Sequence, residues 1–387
     1  MLTRRSFLKA SSLLALAPTL PAFLARTARA ADPARDGRVL VVIQLDGGND
    51  ALNTVVPHAD PEYAKLRPSL KVAPKDVVKI NDAVGLHPSL RPLDGLLQKG
   101  RLALVPGVTY PNPNRSHFQS MAIWQTAKFD PEEHKGYGWL GRALDEMGGN
   151  SVLVGTGSVP TTLRARRSAA ISLARPDDLM LSDPNLAKSA AGGGKKSDLL
   201  DFVRRQAVDG YSAADRMAGL TRNSDVAYPG TVLGDRLRLA AGLLKADLGA
   251  RVFYAQQGGF DTHATQNFAH ANLLREFATA VEAFFNDLDN AKLSDRVLLL
   301  AFSEFGRTIK ENGSGGTDHG TTGAVFVAGP NVKNALVGTM PSLTDLEGGE
   351  PKMTTDFRSV YATVLDQWLH CSSEQMLGSK FAPVGLL

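Results

Sequence analysis

Residues able to do chemistry concentrate between Gly259 and Gly320 of this 387-residue chain. They form three short clusters: Gly259-Phe-Asp261-Thr-His263, Ser303-Glu304-Phe-Gly-Arg307-Thr308 and Thr317-Asp318-His319-Gly320. Carboxylates and imidazoles gathered in this way act either as metal ligands or as acid and base groups. Two carboxylates about 4 Å apart repel by roughly 4 kcal/mol at an effective dielectric near 20, so several together require a cation. The clusters therefore read first as a metal site. Asp261 and His263 are separated by one residue, and in an extended segment side chains two apart point the same way and can share an ion. Glu304 stands where a strand meets a loop; its alternative role is a structural ion pair with Arg307. In the Gly- and Thr-rich loop 313–320, one of Asp318 and His319 is expected as a ligand, with His319 preferred.

Two further positions lie upstream. Asp46 ends the apolar run Arg38–Leu45 and is followed by Gly47-Gly48, which lets backbone approach a ligand closely. It reads as a metal ligand, with a plain turn as the alternative. Asn49 and Asp50 beside it either support the ligands or form the turn. Ser116 precedes a helical pattern that runs through Trp124. It is either an N-cap or a nucleophile, because a helix start and a nearby cation both lower a hydroxyl's pKa. The remaining histidines, His58, His87, His134, His270 and His370, read as surface or core residues, with His87 able to line a pocket. Asp356 with Arg358 is expected to cap the final helix.

The elements that must position these groups alternate. Apolar, β-branched runs at Arg251–Ala255 and Val297–Phe302 precede the first two clusters, and Ala324–Ala328 follows the third. Strands are also expected at 102–105, 151–154 and 169–173. Helices are expected at 198–221, 232–248, 267–288 and 356–370, and a Gly- and Lys-rich surface loop or linker at 190–197. Continuous apolar strands alternating with helices predict βαβ units around a mostly parallel sheet, whose ligands bind past the strand C-termini. Residues 31–387 are expected to form one domain, with a small insertion around 148–200.

The N-terminus reads as a targeting segment. Thr3-Arg4-Arg5-Ser6-Phe7-Leu8-Lys9 resembles the twin-arginine export consensus, an apolar stretch follows, and Ala28-Arg29-Ala30 suits cleavage. The apolar run is short and broken by Pro18 and Pro21, so it falls below the roughly 20 residues that span a bilayer. Residues 1–30 hold five of the 43 basic residues and no acidic one, leaving 38 basic against 39 acidic. That balance gives no footprint for nucleic acid or an anionic membrane. The expected location is the periplasm or the cell exterior, with the twin-arginine translocase as a partner during export. Cys371 is the only cysteine, so no internal disulfide forms and stability must come from the core.

Gln44–Asp50, Asn114–Phe118, Gly259–His263, Ser303–Thr308, Thr317–Gly320 and Thr355–Arg358 together resemble the exported bacterial family known as domain of unknown function 1501. The resemblance covers nearly the whole chain after the leader. That family is in turn similar to the alkaline phosphatase and sulfatase superfamily. The likeness implies a three-layer α/β/α sandwich with one or two divalent ions at the strand C-termini. It implies Asp46, Asp261, His263, Glu304 and His319 as ligands and Ser116 as nucleophile. Arg115 or Arg307 would then hold the anionic oxygens of a phosphate or sulfate ester. Where the superfamily has an Asp-His pair, this chain has Glu304-Phe305, which leaves one imidazole fewer and admits zinc, magnesium or calcium. Two other readings follow: a non-catalytic exported metal-binding protein, and a metal-dependent hydrolase of polysaccharide or cell-wall material.

Overall fold

The computed structural model describes residues 37–175, 224–247 and 249–387. The leader, the 190–197 loop and the helix expected at 198–221 lie outside the described residues. Eight strands make the central sheet. In chain order they are β1 (Val39–Leu45), β2 (Leu102–Thr109), β3 (Asn150–Val154), β4 (Ala170–Leu173), β5 (Ala250–Gln257), β6 (Val297–Phe302), β7 (Gly323–Ala328) and β8 (Thr355–Asp356). Their order across the sheet is β8-β2-β7-β6-β1-β5-β3-β4.

Strand β1 pairs in parallel with β5 and β6, placing it at the middle of the sheet. Only β7 runs antiparallel to its neighbours, β2 and β6. Strands β3 and β4 join the sheet's edge through parallel pairing. Both lie within the stretch expected to hold an insertion, so Asn150–Val154 and Ala170–Leu173 of that stretch pair into the main sheet.

Alternation along β1 divides the interior in two. Val39, Val41, Ile43 and Leu45 face one core, shared with helices α3 (Val232–Lys245) and α4 (Gln266–Asn290). Leu40 and Val42 face the other, shared with α1 (His117–Thr126), α2 (Trp139–Met147) and α5 (Phe357–Thr363). Helix α4 presents Leu274, Phe277, Val281, Phe284 and Leu288 to the first core at helical spacing. Burying each such side chain contributes about 1.5–3 kcal/mol, which is how a sheet apolar on both faces recruits a helix layer to each. The result is a three-layer α/β/α sandwich with a mostly parallel sheet. The helix expected at 356–370 is present: Phe357–Thr363 is α-helical and Val364–Leu369 continues it as a π-helix, with a short helix at Ser373–Leu377 after it. Asp356 caps α5, accepting from Arg358 N at 2.9 Å. Among the described residues no helix is long and apolar enough to cross a membrane.

Candidate metal centre

Strands β1, β5 and β6 end side by side, so the segments after them meet. Gly47 and Gly48 make the meeting possible. Both have positive φ, +117° and +73°. A Cβ on Gly47 would lie 2.4 Å from Asp261 N, and one on Gly48 2.4 Å from the Phe305 ring. The third cluster arrives differently. It precedes β7, and because β7 is antiparallel its start lies at the same sheet edge as the other strands' ends. The loop is fastened there by Thr308 N to Asp318 O (2.9 Å) and Gly320 N to Gly306 O (2.9 Å).

Three imidazoles converge on Asp261. His263 Nε2 is 3.0 Å from Asp261 Oδ1, His319 Nε2 is 3.1 Å from the same oxygen, and His117 Nε2 is 3.5 Å from Oδ2. The Nε2 atoms of His263 and His319 are 3.1 Å apart. In every ring the other nitrogen is engaged. His117 Nδ1 is 2.6 Å from Glu304 Oε1, His263 Nδ1 is 2.9 Å from Asp318 Oδ1, and His319 Nδ1 is 2.8 Å from the Arg115 carbonyl. Carboxylates and carbonyls only accept, so each Nδ1 carries the hydrogen and a neutral ring leaves Nε2 as a bare lone pair. Acceptors thus face acceptors around Asp261, an arrangement that needs a shared proton or a cation. His117 Nε2 is in addition buried without a hydrogen-bond partner. One ligand atom each from His117, Asp261 and His319 lies within 4.8 Å of the others.

His117 was not singled out as a ligand by the sequence reading, although it stands inside the Asn114–Phe118 motif. Its ring faces the same carboxylate as those of His263 and His319. Phe305 backs the site, its ring centroid 4.9 Å from that of His117 and 4.8 Å from that of His319.

The charges are tuned by their surroundings. Burial works against the Asp261 carboxylate, but the Arg307 guanidinium at 2.6 Å, with His319 and His263, holds its pKa down to about 2. Burial, with the nearby Glu304 charge adding, pushes Asp46 up to about 6 against the Gln44 amide that hydrogen-bonds it. The hydrogen bond that His117 donates to Glu304 raises its pKa above the ordinary value. Glu304 is buried and also accepts from Gly47 N at 3.0 Å and lies 2.9 Å from Ser303 Oγ.

Arg307 departs from the expected contact with a substrate anion. Its side chain is wholly enclosed and donates to Gly48 O (2.7 Å), Thr317 O (2.9 Å), Phe260 O (3.0 Å), Gly47 O and Asp261. It binds the three loops together. Arg115 is exposed. Ser116 is the N-cap residue of α1, yet its side chain makes no cap hydrogen bond. His87, read as able to line a pocket, caps the turn after it by accepting from Ser89 N at 3.1 Å.

A cleft of about 500 Å³ opens over the site, lined by Asp46, Gly47, His117, Asp261 and Glu304 on the floor. Phe118, Met121, Ala122 and Gln125, from one face of α1, form its wall. Phe118 is 89% exposed.

The chain belongs to the protein family of unknown function DUF1501, whose profile matches residues 37–370. Curated proteins give no match. Solved structures with a similar course include a protein of the alkaline phosphatase superfamily from Vibrio parahaemolyticus. It is 9% identical, aligned over 93% of this chain and 77% of that one, with a TM-score of 0.42. The lipoteichoic acid synthase of Listeria monocytogenes is 11% identical over 82% and 74% of the two chains, TM-score 0.39. A sulfatase from Pseudoalteromonas sp. is 11% identical over 93% and 71%, TM-score 0.38.

Proposed function

We propose that this protein is an exported, metal-dependent hydrolase of phosphate or sulfate esters acting in the cleft beside α1. The observation that carries the reading is the set of three imidazoles around Asp261, each held through Nδ1 and each turning Nε2 to the same carboxylate. Imidazoles oriented by an outer carboxylate or carbonyl are the usual ligands of a catalytic ion. Three nitrogens with one carboxylate suit zinc or a similar ion and not calcium, which takes oxygen ligands. The edges of the Asp261–His263–His319 triangle, 3.0–3.1 Å, fit this assignment. Tetrahedral ligands at zinc bond lengths stand about 3.3 Å apart.

Asp261, His117, His263 and His319 would hold the ion, with Asp46 and Glu304 supplying the carboxylate side of the site. Glu304 and Asp318 orient their imidazoles. A divalent ion bound here supplies polarisation of the ester's anionic oxygens. Ser116, whose hydroxyl is not spent on a cap bond, is the nucleophile at the positive end of α1. Its Oγ bonds to phosphorus or sulfur as the alcohol departs, taking the serine proton by way of water. A water molecule then releases the inorganic anion and regenerates the serine. Arg115, exposed at the same helix start, meets the anionic oxygens, and Phe118 with Met121 takes the organic part of the ester.

The test is elemental analysis and hydrolysis assays on leaderless protein purified without chelator. A divalent ion and turnover of an aryl phosphate or aryl sulfate are expected. Asp261→Ala should lose both, and Ser116→Ala should lose turnover but keep the ion. A folded protein that takes up no divalent ion sinks the reading.

A further inference from the structure

Gln266, the first residue of α4, is fully buried. Its amide oxygen accepts from two threonine hydroxyls, Thr262 at 3.1 Å and Thr317. Thr262 lies between Asp261 and His263, and Thr317 immediately precedes Asp318 and His319. A single oxygen therefore ties together the two loops that carry most of the converging groups. The amide nitrogen of the same side chain donates to Asp50, on the loop after β1.

Asp50 is itself immobilised. Arg67 donates to it at 2.7 and 3.1 Å, with both side chains inaccessible to solvent. The other Arg67 donors reach Ile309 O at 2.7 Å and Thr308 O at 2.8 Å, beyond Glu304 on the segment after β6. The loops after β1, β5 and β6 and the loop before β7 thus meet on one buried unit, Gln266–Asp50–Arg67, which leaves out only the α1 start that carries His117. Buried hydrogen bonds have no water to replace them, so a network with its partners matched fixes one geometry. No shape-matched residue repeats the pattern. Glutamate would set a second carboxylate against Asp50, and methionine would leave two hydroxyls and Asp50 without this partner.

We infer that Gln266 is the positioning residue that sets the Asp261–His263 loop against the Asp318–His319 loop, so the ligand triangle stands before any ion enters. The ion readout of this inference rests on the function proposed above; the exchange readout does not.

The experiment compares Thr262→Val, Thr317→Val, their pair and Gln266→Met with wild type. Affinity for Zn²⁺ alone is read by competition with a chromophoric chelator, and amide hydrogen exchange is read on the metal-free protein. Each threonine variant should weaken Zn²⁺ binding about tenfold, and Gln266→Met about 100-fold. Exchange should accelerate at residues 261–263 and 317–320 together, and not in β1 or β6. In the Gln266→Met background the threonine changes should add nothing. Thr363→Val is the control: equally buried, its hydroxyl bonds only the distant Ser359 and Val384 backbone, so it should alter neither readout. If Gln266→Met fails to fold, the threonine pair decides. Unchanged Zn²⁺ affinity and unchanged loop exchange in folded variants overturn the inference. Should wild type bind no Zn²⁺, the proposed function fails, and loop exchange alone decides the role of Gln266.

Discussion

His117 shows how one side chain can alter the chemistry a site offers. With Asp261, His263 and His319 alone, the donors would be two nitrogens and a carboxylate, a set that oxygen-seeking ions can also satisfy. Under the proposed assignment the third imidazole, delivered from the first turn of α1, would move the preference toward zinc. Its hydrogen bond to the buried Glu304 also fixes which nitrogen faces Asp261. We expect His117→Ala to weaken Zn²⁺ binding by at least tenfold to 100-fold, and Glu304→Gln, which keeps an acceptor without the charge, to weaken it less. Chelator competition at fixed pH measures both. Phe118 makes a different kind of contribution, because it lies at the mouth of the cleft and not among the ligands. Burying part of its ring against an aryl group contributes about 1–2 kcal/mol. Phe118→Ala should therefore raise KM for an aryl ester about tenfold, leave kcat near wild type and barely affect a methyl ester. An equal effect on both esters would remove Phe118 from substrate binding.

At the scale of elements, the site depends on how tightly three chain reversals can pack. The Gly47-Gly48 turn leaves no room for a side chain, and Gly48 sits against Phe305, the ring that backs both His117 and His319. Gly48→Ala combines a strained positive φ with an overpacked contact and should destabilise by about 2 kcal/mol or more. Its urea midpoint should fall, and Zn²⁺ affinity should fall with it as Phe305 shifts the imidazoles. The same packing explains what could be read from sequence. Strands at Val39–Leu45, Ala250–Gln257 and Val297–Phe302 and the helix Gln266–Asn290 follow from apolar runs and helical spacing, and Asp46, Asp261, His263, Glu304 and His319 from their places beside those runs. The direction of β7 has no local signature, since an antiparallel strand buried on both faces carries the same apolar run as a parallel one. Nor does composition show that β3 and β4 pair into the main sheet. His117 was hidden because its partner Glu304 is 187 positions away in the chain. Arg307 looked like an anion clamp because its carbonyl partners belong to loops that only the fold assembles.

The molecule as a whole couples this polar interior to pH. Behind the site, His270 is fully buried and donates to Asn49 at 2.9 Å, and His87 packs edge-on to it with ring centroids 5.9 Å apart. Burial pushes both imidazoles down to about 4, against a smaller opposing pull from Asp50. A histidine whose folded pKa lies below its unfolded value of about 6.5 stays neutral in the native state while the unfolded chain takes up a proton. Stability must then fall as pH drops from about 6.5 toward 4 and level off below. Asp50 acts in a lower window. Burial opposes its charge, but Arg67 holds it near 2, so its contribution is intact above the usual carboxylate range and is lost as pH falls toward 2. Two successive losses are therefore expected, with the histidine window first and on the order of a few kcal/mol. Urea unfolding of chelator-treated protein at steps from pH 7.5 to about 2 separates these contributions from ion release. Replacing His270 by Gln, which can still donate to Asn49 but does not titrate, should shrink the upper window to the share of His87 and leave the lower one in place. An unchanged profile in that variant would mean that the buried imidazoles already share their protons in the native state. The acid response would then belong to the exposed carboxylates.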